Sequence, residues 1–381
     1  MHIAKRAAEI SPSLTLEITA KAKKFKEEGR DVVSFGAGEP DFNTPLYIRD
    51  AAKEALDKGL TKYTPASGTL ALKKAVVDKL MRDNGLSYKT CEIVISNGAK
   101  HCLYNVLQAI VDPGDEVIIP APYWLTYPEL VKLCGGVSVF VETRVENGFK
   151  LTAAQLQAAI TPKTRALILN NPNNPTGAVY TKDELMSLAH VIGKTELVVI
   201  SDEVYEILNY KTGIYSIAAY SQKLKEQTVV VNGVSKTYAM TGWRIGFIAA
   251  AEPIAKAVAG MQSHTTSNPN SIAQYASVAA YENPAGQAFL AELKASLDRR
   301  RRLIMRELDS VEGLSYIKPE GAFYIMVDVH KCFGKSARGK KIDSAHAFAT
   351  ALLEQGDVAA IPCESFGAGD YIRLSYALGD E

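Results

Sequence analysis

Lys236 is the residue around which chemistry can be built. It sits among small and apolar neighbours, Val231-Asn232-Gly233-Val234-Ser235-Lys236-Thr237-Tyr238, with Gly242-Trp243-Arg244 just beyond. An amine held in a dry pocket has a lowered pKa and can condense with an aldehyde. Arg244 is a fixed cation suited to a phosphate. One molecule that is both aldehyde and phosphate would satisfy the pair, and pyridoxal phosphate is such a molecule. A lysine in a glycine-rich loop is more often solvated than catalytic, so partners must come from elsewhere in the chain.

Several candidates are available. Asp202, in Ser201-Asp202-Glu203-Val204-Tyr205, follows an apolar run. It could partner a ring nitrogen or simply cap a helix. Asn170-Asn171-Pro172-Asn173-Asn174-Pro175-Thr176-Gly177 is dense in turn formers and amide donors. Ser96-Asn97-Gly98-Ala99-Lys100 joins a strand to a helix start, whose free N–H groups suit an anion, although most such turns bind nothing. Trp124 could stack on a flat ring or belong to the core. Gly36-Ala37-Gly38 before Glu39-Pro40 is a tight turn, or a place where backbone must approach a ligand. Arg373 lies in the apolar run Tyr371-Ile372-Arg373-Leu374-Ser375. A buried lone charge there is costly, so it needs an anionic partner, either a structural acid or a substrate carboxylate.

The elements that must position these residues read as follows. Residues 14–28, 45–58 and 70–84 are helical, with Gly85 ending the third and Pro12 breaking any earlier helix. Residues 32–35, 92–95, 116–120, 165–169, 197–200, 229–231 and 245–251 are strands. A helix opens at Ala99 and runs to about residue 110. Alternation of strands and helices across residues 90–250 predicts a mostly parallel sheet covered by helices, with ligands at the strand ends. A long helix from Glu282 carries Phe289, Leu293, Leu297, Ile304 and Leu308 on one stripe, and Arg299 to Arg302 read as its solvated face. Residues 321–329, 341–354, 358–362 and 371–376 then form a smaller α+β unit, joined by the N-terminal segment.

Composition narrows the function classes. The 381 residues are 47% apolar and 22% charged, with net charge +1. That is globular composition and implies no nucleic-acid or membrane partner. Cys91, Cys102, Cys134, Cys332 and Cys363 are scattered with no C-x-x-C pair, against a zinc site and in keeping with a reducing compartment. The start of the chain has no signal-peptide core, and no run of about 18 apolar residues occurs. A cytoplasmic protein is expected.

Taken in order, Asn174-Pro175-Thr176-Gly177, Asp202-Glu203-Val204-Tyr205, Ser235-Lys236 through Arg244, and Arg373 resemble the class I and II aminotransferases of fold type I, which use pyridoxal 5′-phosphate. The resemblance spans residues 11–377. It is closest to the bacterial aspartate aminotransferase subgroup, which shares Pro12-Ser13-Leu14-Thr15 and Gly38-Glu39-Pro40-Asp41-Phe42. It implies an α/β fold: an N-terminal segment over residues 1–45, a large cofactor-binding domain over 46–281, and a small domain over 282–381. It also implies one more helix than the chain holds after Arg373.

The same resemblance implies roles. Lys236 is the Schiff-base lysine and proton carrier. Asp202 keeps the ring nitrogen protonated, Asn174 and Tyr205 bond the ring oxygen, and Trp124 stacks on the ring. Gly98, Ala99 and Arg244 form the phosphate cup, and Tyr63 reaches the phosphate of a neighbouring subunit in a homodimer. Arg373 takes the substrate α-carboxylate beside Gly38. The implied reaction is ping-pong transamination from L-aspartate to 2-oxoglutarate, giving oxaloacetate and L-glutamate.

One departure bears on substrate. A second subgroup has an arginine for the distal carboxylate where this chain has Ser263, ahead of Ser267-Asn268-Pro269. Enzymes with a lysine after the glycine turn use that instead, and Lys100 stands there. Lys100 could equally be a phosphate neighbour or a solvated helix-start lysine. An aromatic, alanine or prephenate aminotransferase and a carbon–sulfur lyase share these motifs. A cofactor-binding regulator is the reading from another class. Such proteins carry a DNA-binding module ahead of this domain, and the roughly 30 residues before the Gly36 turn are too few for one.

Overall fold

The computed structural model describes residues 2–11, 14–211 and 213–379. Pro12 and Ser13, read above as a helix break and part of a motif, lie outside the described residues. A short helix, Lys5–Ala8, precedes them where the sequence suggested none.

The centre is a seven-stranded sheet. Its strands are β1 (Ile93–Ser96), β2 (Glu116–Ala121), β3 (Val137–Glu142), β4 (Thr164–Asn170), β5 (Val198–Asp202), β6 (Thr228–Gly233) and β7 (Gly246–Ala249). Their order is β1-β7-β6-β5-β4-β2-β3. Strands β3, β2, β4, β5 and β6 pair in parallel, whereas β7 is antiparallel to both β6 and β1. The expectation of a mostly parallel sheet therefore holds, with one reversal.

Alternate residues of a strand face opposite sides, and both sides are covered. On one, Ile93, Ile95, Val230 and Phe247 pack on α1 (Leu46–Asp57), α2 (Leu70–Asn84) and α5 (Ser271–Glu282). On the other, Val94, Val229, Val231 and Ile248 pack on α3 (Ala99–Ile110) and α4 (Glu252–Thr265). Two-sided burial explains why these strands read as continuous apolar runs rather than alternating ones. Gly85 ends α2 in the left-handed conformation, as expected.

A second, antiparallel sheet contains β8 (Ser315–Tyr316), β9 (Tyr324–Asp328), β10 (Ile361–Pro362) and β11 (Tyr371–Ser375), in the order β10-β11-β9-β8. The long helix α6 (Ala285–Asp309) covers it through Leu293 and Leu297. Ile18, Ala22 and Val32 from the N-terminal segment pack against Leu353, Ile361 and Phe366.

The arginine run departs from its reading as a solvated face. Arg301 lies on the same stripe as Leu293 and Leu297, one turn further on, and is 9% exposed. It bonds Asp298 and the Pro319 carbonyl and lies over the Tyr210 ring. Arg300 holds Asp41 and the Ala377 carbonyl. Two of the four arginines thus brace the second sheet and the N-terminal segment against the helix.

Candidate active site

The parallel strands β2, β4, β5 and β6, together with β1, end along one edge of the large sheet. Strand β7 runs the other way, so it begins at that edge. Gly246 lies opposite both Ser96 and Gly233. Arg244, which precedes β7, is thereby set beside Gly98, which follows β1, and near Lys236, which follows β6. A cavity of about 340 Å³ opens there, a size suited to a small ligand. Its wall includes Gly38, Ala99, Lys100, Trp124, Asn174, Asp202, Tyr205, Lys236, Arg244 and Arg373. Of the expected residues outside that wall, Gly98 lies directly behind it against Arg244, whereas Tyr63 stands apart, 90% exposed.

At one end, Gly98 has φ +85° and precedes α3 with no side chain capping the helix. A Cβ at Gly98 would come 2.3 Å from Arg244 Nη2, and one at Gly246 would come 2.4 Å from the Ala99 nitrogen. Both glycines are needed for strand, helix start and guanidinium to meet. Arg244 donates to the Thr241 and Asn97 carbonyls, which holds it at the helix mouth. The N–H groups of a helix N-terminus and a fixed cation make an anion cup.

Deeper in, Asp202 is 3% exposed and ends β5. No helix begins after it, so it is not a helix cap. Its carboxylate accepts from the Tyr127 hydroxyl at 2.7 Å and the Val204 N–H at 3.3 Å. Burial pushes its pKa up to about 6, against the opposing pull of those two donors and of Lys236. Lys236 keeps part of its surface open to the cavity and donates to the Gly38 carbonyl. Loss of solvation holds its pKa down to about 8; Glu39 works against the shift, and Arg244 and Arg373 add to it. An amine so placed has a neutral fraction near pH 7 that an ordinary lysine lacks.

Arg373 is 3% exposed in the central strand β11. It donates to Asn174 Oδ1 at 2.9 Å and lies over the rings of Tyr324 and Phe366. Its Nε is buried without a partner, and no acid pairs with it among the described residues. Of the two anionic partners expected from the sequence, a structural acid is excluded there. Lys100 likewise has no acidic partner among the described residues. Its Nζ lies 4.9 Å over the Trp124 ring, and burial, then Arg244, lowers its pKa.

Other wall residues were not anticipated. Tyr127, in the first turn of the helix Thr126–Leu133 that follows Trp124, lies edge-on to it at 5.5 Å. Tyr324 contacts the Tyr205 hydroxyl at 3.2 Å. Thr15, quoted above only as part of a shared stretch and given no role, lines the cavity with its hydroxyl buried without a partner. Gly38 shows a milder need than a backbone contact: an added Cβ would meet only the Tyr324 hydroxyl, at 3.7 Å. The asparagines of residues 170–174 largely serve their own loop, as where Asn170 Oδ1 accepts from the Asn174 N–H.

Comparison with known proteins agrees with this geometry. The family described as aminotransferase class I and II matches residues 30–381. An aspartate aminotransferase of Geobacillus stearothermophilus is 48% identical over 378 residues, covering 99% of this chain and 95% of that protein. An aspartate/prephenate aminotransferase of Cereibacter sphaeroides is 47% identical over 377 residues, covering 98% and 94%. The crystal structure of the aspartate aminotransferase from Rhizobium meliloti superposes with a TM-score of 0.96 at 43% identity, covering 100% and 95%. The fold is the type I fold of pyridoxal-phosphate-dependent transferases. The chain belongs to the class I and II aminotransferases and is an aminotransferase enzyme.

Proposed function

We propose that the chain transfers the amino group of L-aspartate to 2-oxoglutarate, with pyridoxal 5′-phosphate as cofactor, in a ping-pong sequence. The observation that carries the substrate reading is a pair of cations. Arg373 and Lys100 line one cavity with Lys236, and neither has an acidic partner among the described residues. A substrate with two carboxylates supplies both. The unpartnered Thr15 hydroxyl offers a further donor. Prephenate, which the name of the Cereibacter sphaeroides relative includes, also carries two carboxylates and is the second reading for the acceptor.

The residues present fit the cofactor. The cup at Gly98, Ala99 and Arg244 would hold its phosphate, Asp202 its ring nitrogen, Asn174 and Tyr205 its ring oxygen, and Trp124 its face. When bound, it supplies an electron sink for negative charge at the substrate Cα. Asp202, ionised, keeps a proton on the ring nitrogen. Lys236 Nζ, neutral, takes the proton from Cα and returns one later. Arg373 fixes the α-carboxylate through its planar fork. Trp124 and Tyr324 wall the site from water.

We further propose a homodimer. Tyr63 is 90% exposed and lines no part of its own chain's cavity, and Leu46 and Leu70, the first residues of α1 and α2, are each 58% exposed. A second copy would cover such a surface. The division into residues 1–45, 46–281 and 282–381 is likewise a proposal, supported by the two separate sheets. A cytoplasmic location fits the five free cysteines. Among the described residues, no helix is long and apolar enough to cross a membrane.

The test separates the two cations. A charge-assisted bond contributes roughly 1.5–3 kcal/mol, or about 10- to 100-fold. Arg373→Ala lowers kcat/KM for aspartate, alanine and phenylalanine alike. Lys100→Ala lowers it for aspartate and leaves the other two nearly unchanged. Equal losses for all three in Lys100→Ala would assign that lysine to the phosphate and remove the dicarboxylate reading. Borohydride reduction followed by peptide mapping tests the cofactor: label on Lys236 is expected, and label on another lysine would overturn it.

A further inference from the structure

We propose that Gln262 is a positioning residue for the phosphate cup, and that it locks the cup to the loop carrying Tyr63. The proposal rests on the cofactor reading above and adds a residue to it. Gln262 is on α4 and is 0% exposed. A buried amide is costly unless its hydrogen-bonding capacity is used, and here all of it is. Oε1 accepts from the Ser96 hydroxyl at 2.6 Å and from Asn105 Nδ2 at 3.1 Å. Nε2 donates to the Ala66 carbonyl at 2.6 Å and the Ile95 carbonyl at 2.7 Å.

Those four bonds reach three places. Ile95 and Ser96 end β1, and the cup opens at the next residues, Asn97 to Ala99. Asn105 lies on α3, whose N-terminus is the cup. Ala66 belongs to the loop between α1 and α2. That loop is seated closely on β1: the Ile95 N–H donates to the Ser67 carbonyl, and a Cβ at Gly68 would come 2.4 Å from Ile95 Cγ1. Gln274 on α5 holds its far end, accepting from the Thr69 N–H and donating to Thr64 Oγ1. A loop that carries a tyrosine 90% exposed is thus anchored by two buried amides. Surface loops are in general more mobile than the elements they join, and these bonds restrain this one. One side chain, Gln262, sets both the strand end from which a chain builds its own cup and the loop it presents outward.

The test compares pyridoxal 5′-phosphate with pyridoxal, which lacks the phosphate. Cofactor-free wild type and Gln262→Met are titrated with each, and subunit association is followed by sedimentation. Gln262→Met is expected to lower the ratio of phosphate-ester to pyridoxal affinity at least tenfold. A role in stability alone would lower the melting temperature and leave that ratio unchanged, and that result overturns the proposal. If Gln262→Met does not fold, Ser96→Ala decides, since it removes one of the two bonds that Gln262 makes to the strand end and leaves its bonds to Asn105 and Ala66 in place. A ratio lowered threefold or more supports the proposal, and an unchanged ratio overturns it. The locked-loop half is read separately: weaker dimerisation in Gln262→Met supports it, and unchanged dimerisation overturns it. A wild type that binds neither compound defeats the cofactor reading itself, and one that sediments as a monomer defeats the dimer reading and the locked-loop half with it.

Discussion

At the scale of single residues, the site gives up stability for chemistry at Asp202. Burial raises its pKa from the ordinary 3.8 to about 6, so the folded chain without cofactor binds this proton more tightly than the unfolded chain does. Between those values, stability falls as pH rises, and above about pH 6 the buried carboxylate is a standing cost. Asp202→Asn keeps an acceptor for the Tyr127 hydroxyl and removes the charge. Cofactor-free Asp202→Asn should therefore melt higher than cofactor-free wild type at pH 7.5, with the gap closing toward pH 5. Transamination should fall at least about 100-fold, because an amide cannot hold the ring proton as a carboxylate does. Thermal melts at the two pH values check the first expectation. A variant less stable than wild type at pH 7.5 would show that the carboxylate is relieved by its neighbours.

At the scale of elements, direction matters more than type. The strand that ends at Asp202 and the one that leads to Lys236 were legible because two-sided burial writes itself as apolar runs such as Val229-Val230-Val231. The reversal of β7 was not read, because local pattern is blind to strand direction. A sign of it was present: the link over residues 234–245 holds no helix of the kind that a parallel crossover uses. Strand β3 was also missed. It is an edge strand with Val137 and Phe140 about half exposed, so its apolar residues are not all buried. Arg301 was misread because charge was weighed above its place on the stripe of Leu293 and Leu297. The motif residues were found by resemblance, but their convergence follows from strand ends. That geometry makes a prediction. Gly246→Ala drives a methyl into the backbone at Ala99 and Gly98, and overpacking of this kind costs roughly 1–3 kcal/mol. It should lower both the melting temperature and the pyridoxal phosphate retained after dialysis. Gly242→Ala, where a Cβ meets nothing within 4 Å, should change neither. Full cofactor retention in Gly246→Ala would mean that the β7–α3 junction can yield without disturbing the cup.

At the scale of the whole molecule, the open matter is where Tyr63 acts. Its loop is tied down by Gln262 and Gln274, its ring is 90% exposed, and the cavity of its own chain is walled without it. A side chain fixed outward in this way is placed for a second copy related by a two-fold axis, where each chain gives what it receives. Mixing two defective variants distinguishes the arrangements. Tyr63→Ala keeps Lys236 but loses the tyrosine; Lys236→Ala keeps the tyrosine but loses the lysine. If Tyr63 crosses to the neighbour, a mixed dimer has one site with both residues and one with neither. After random reassortment, about one quarter of all sites should be whole. With cofactor kept below saturation for Tyr63→Ala, activity should rise above the sum of the separate variants. If Tyr63 acts within its own chain, every site in the mixture lacks one residue and no gain appears. Subunit exchange must be confirmed first, by sedimentation or by a mass tag on one variant. Complete exchange with no gain would remove Tyr63 from the phosphate site and leave the cup to Gly98, Ala99 and Arg244 of a single chain.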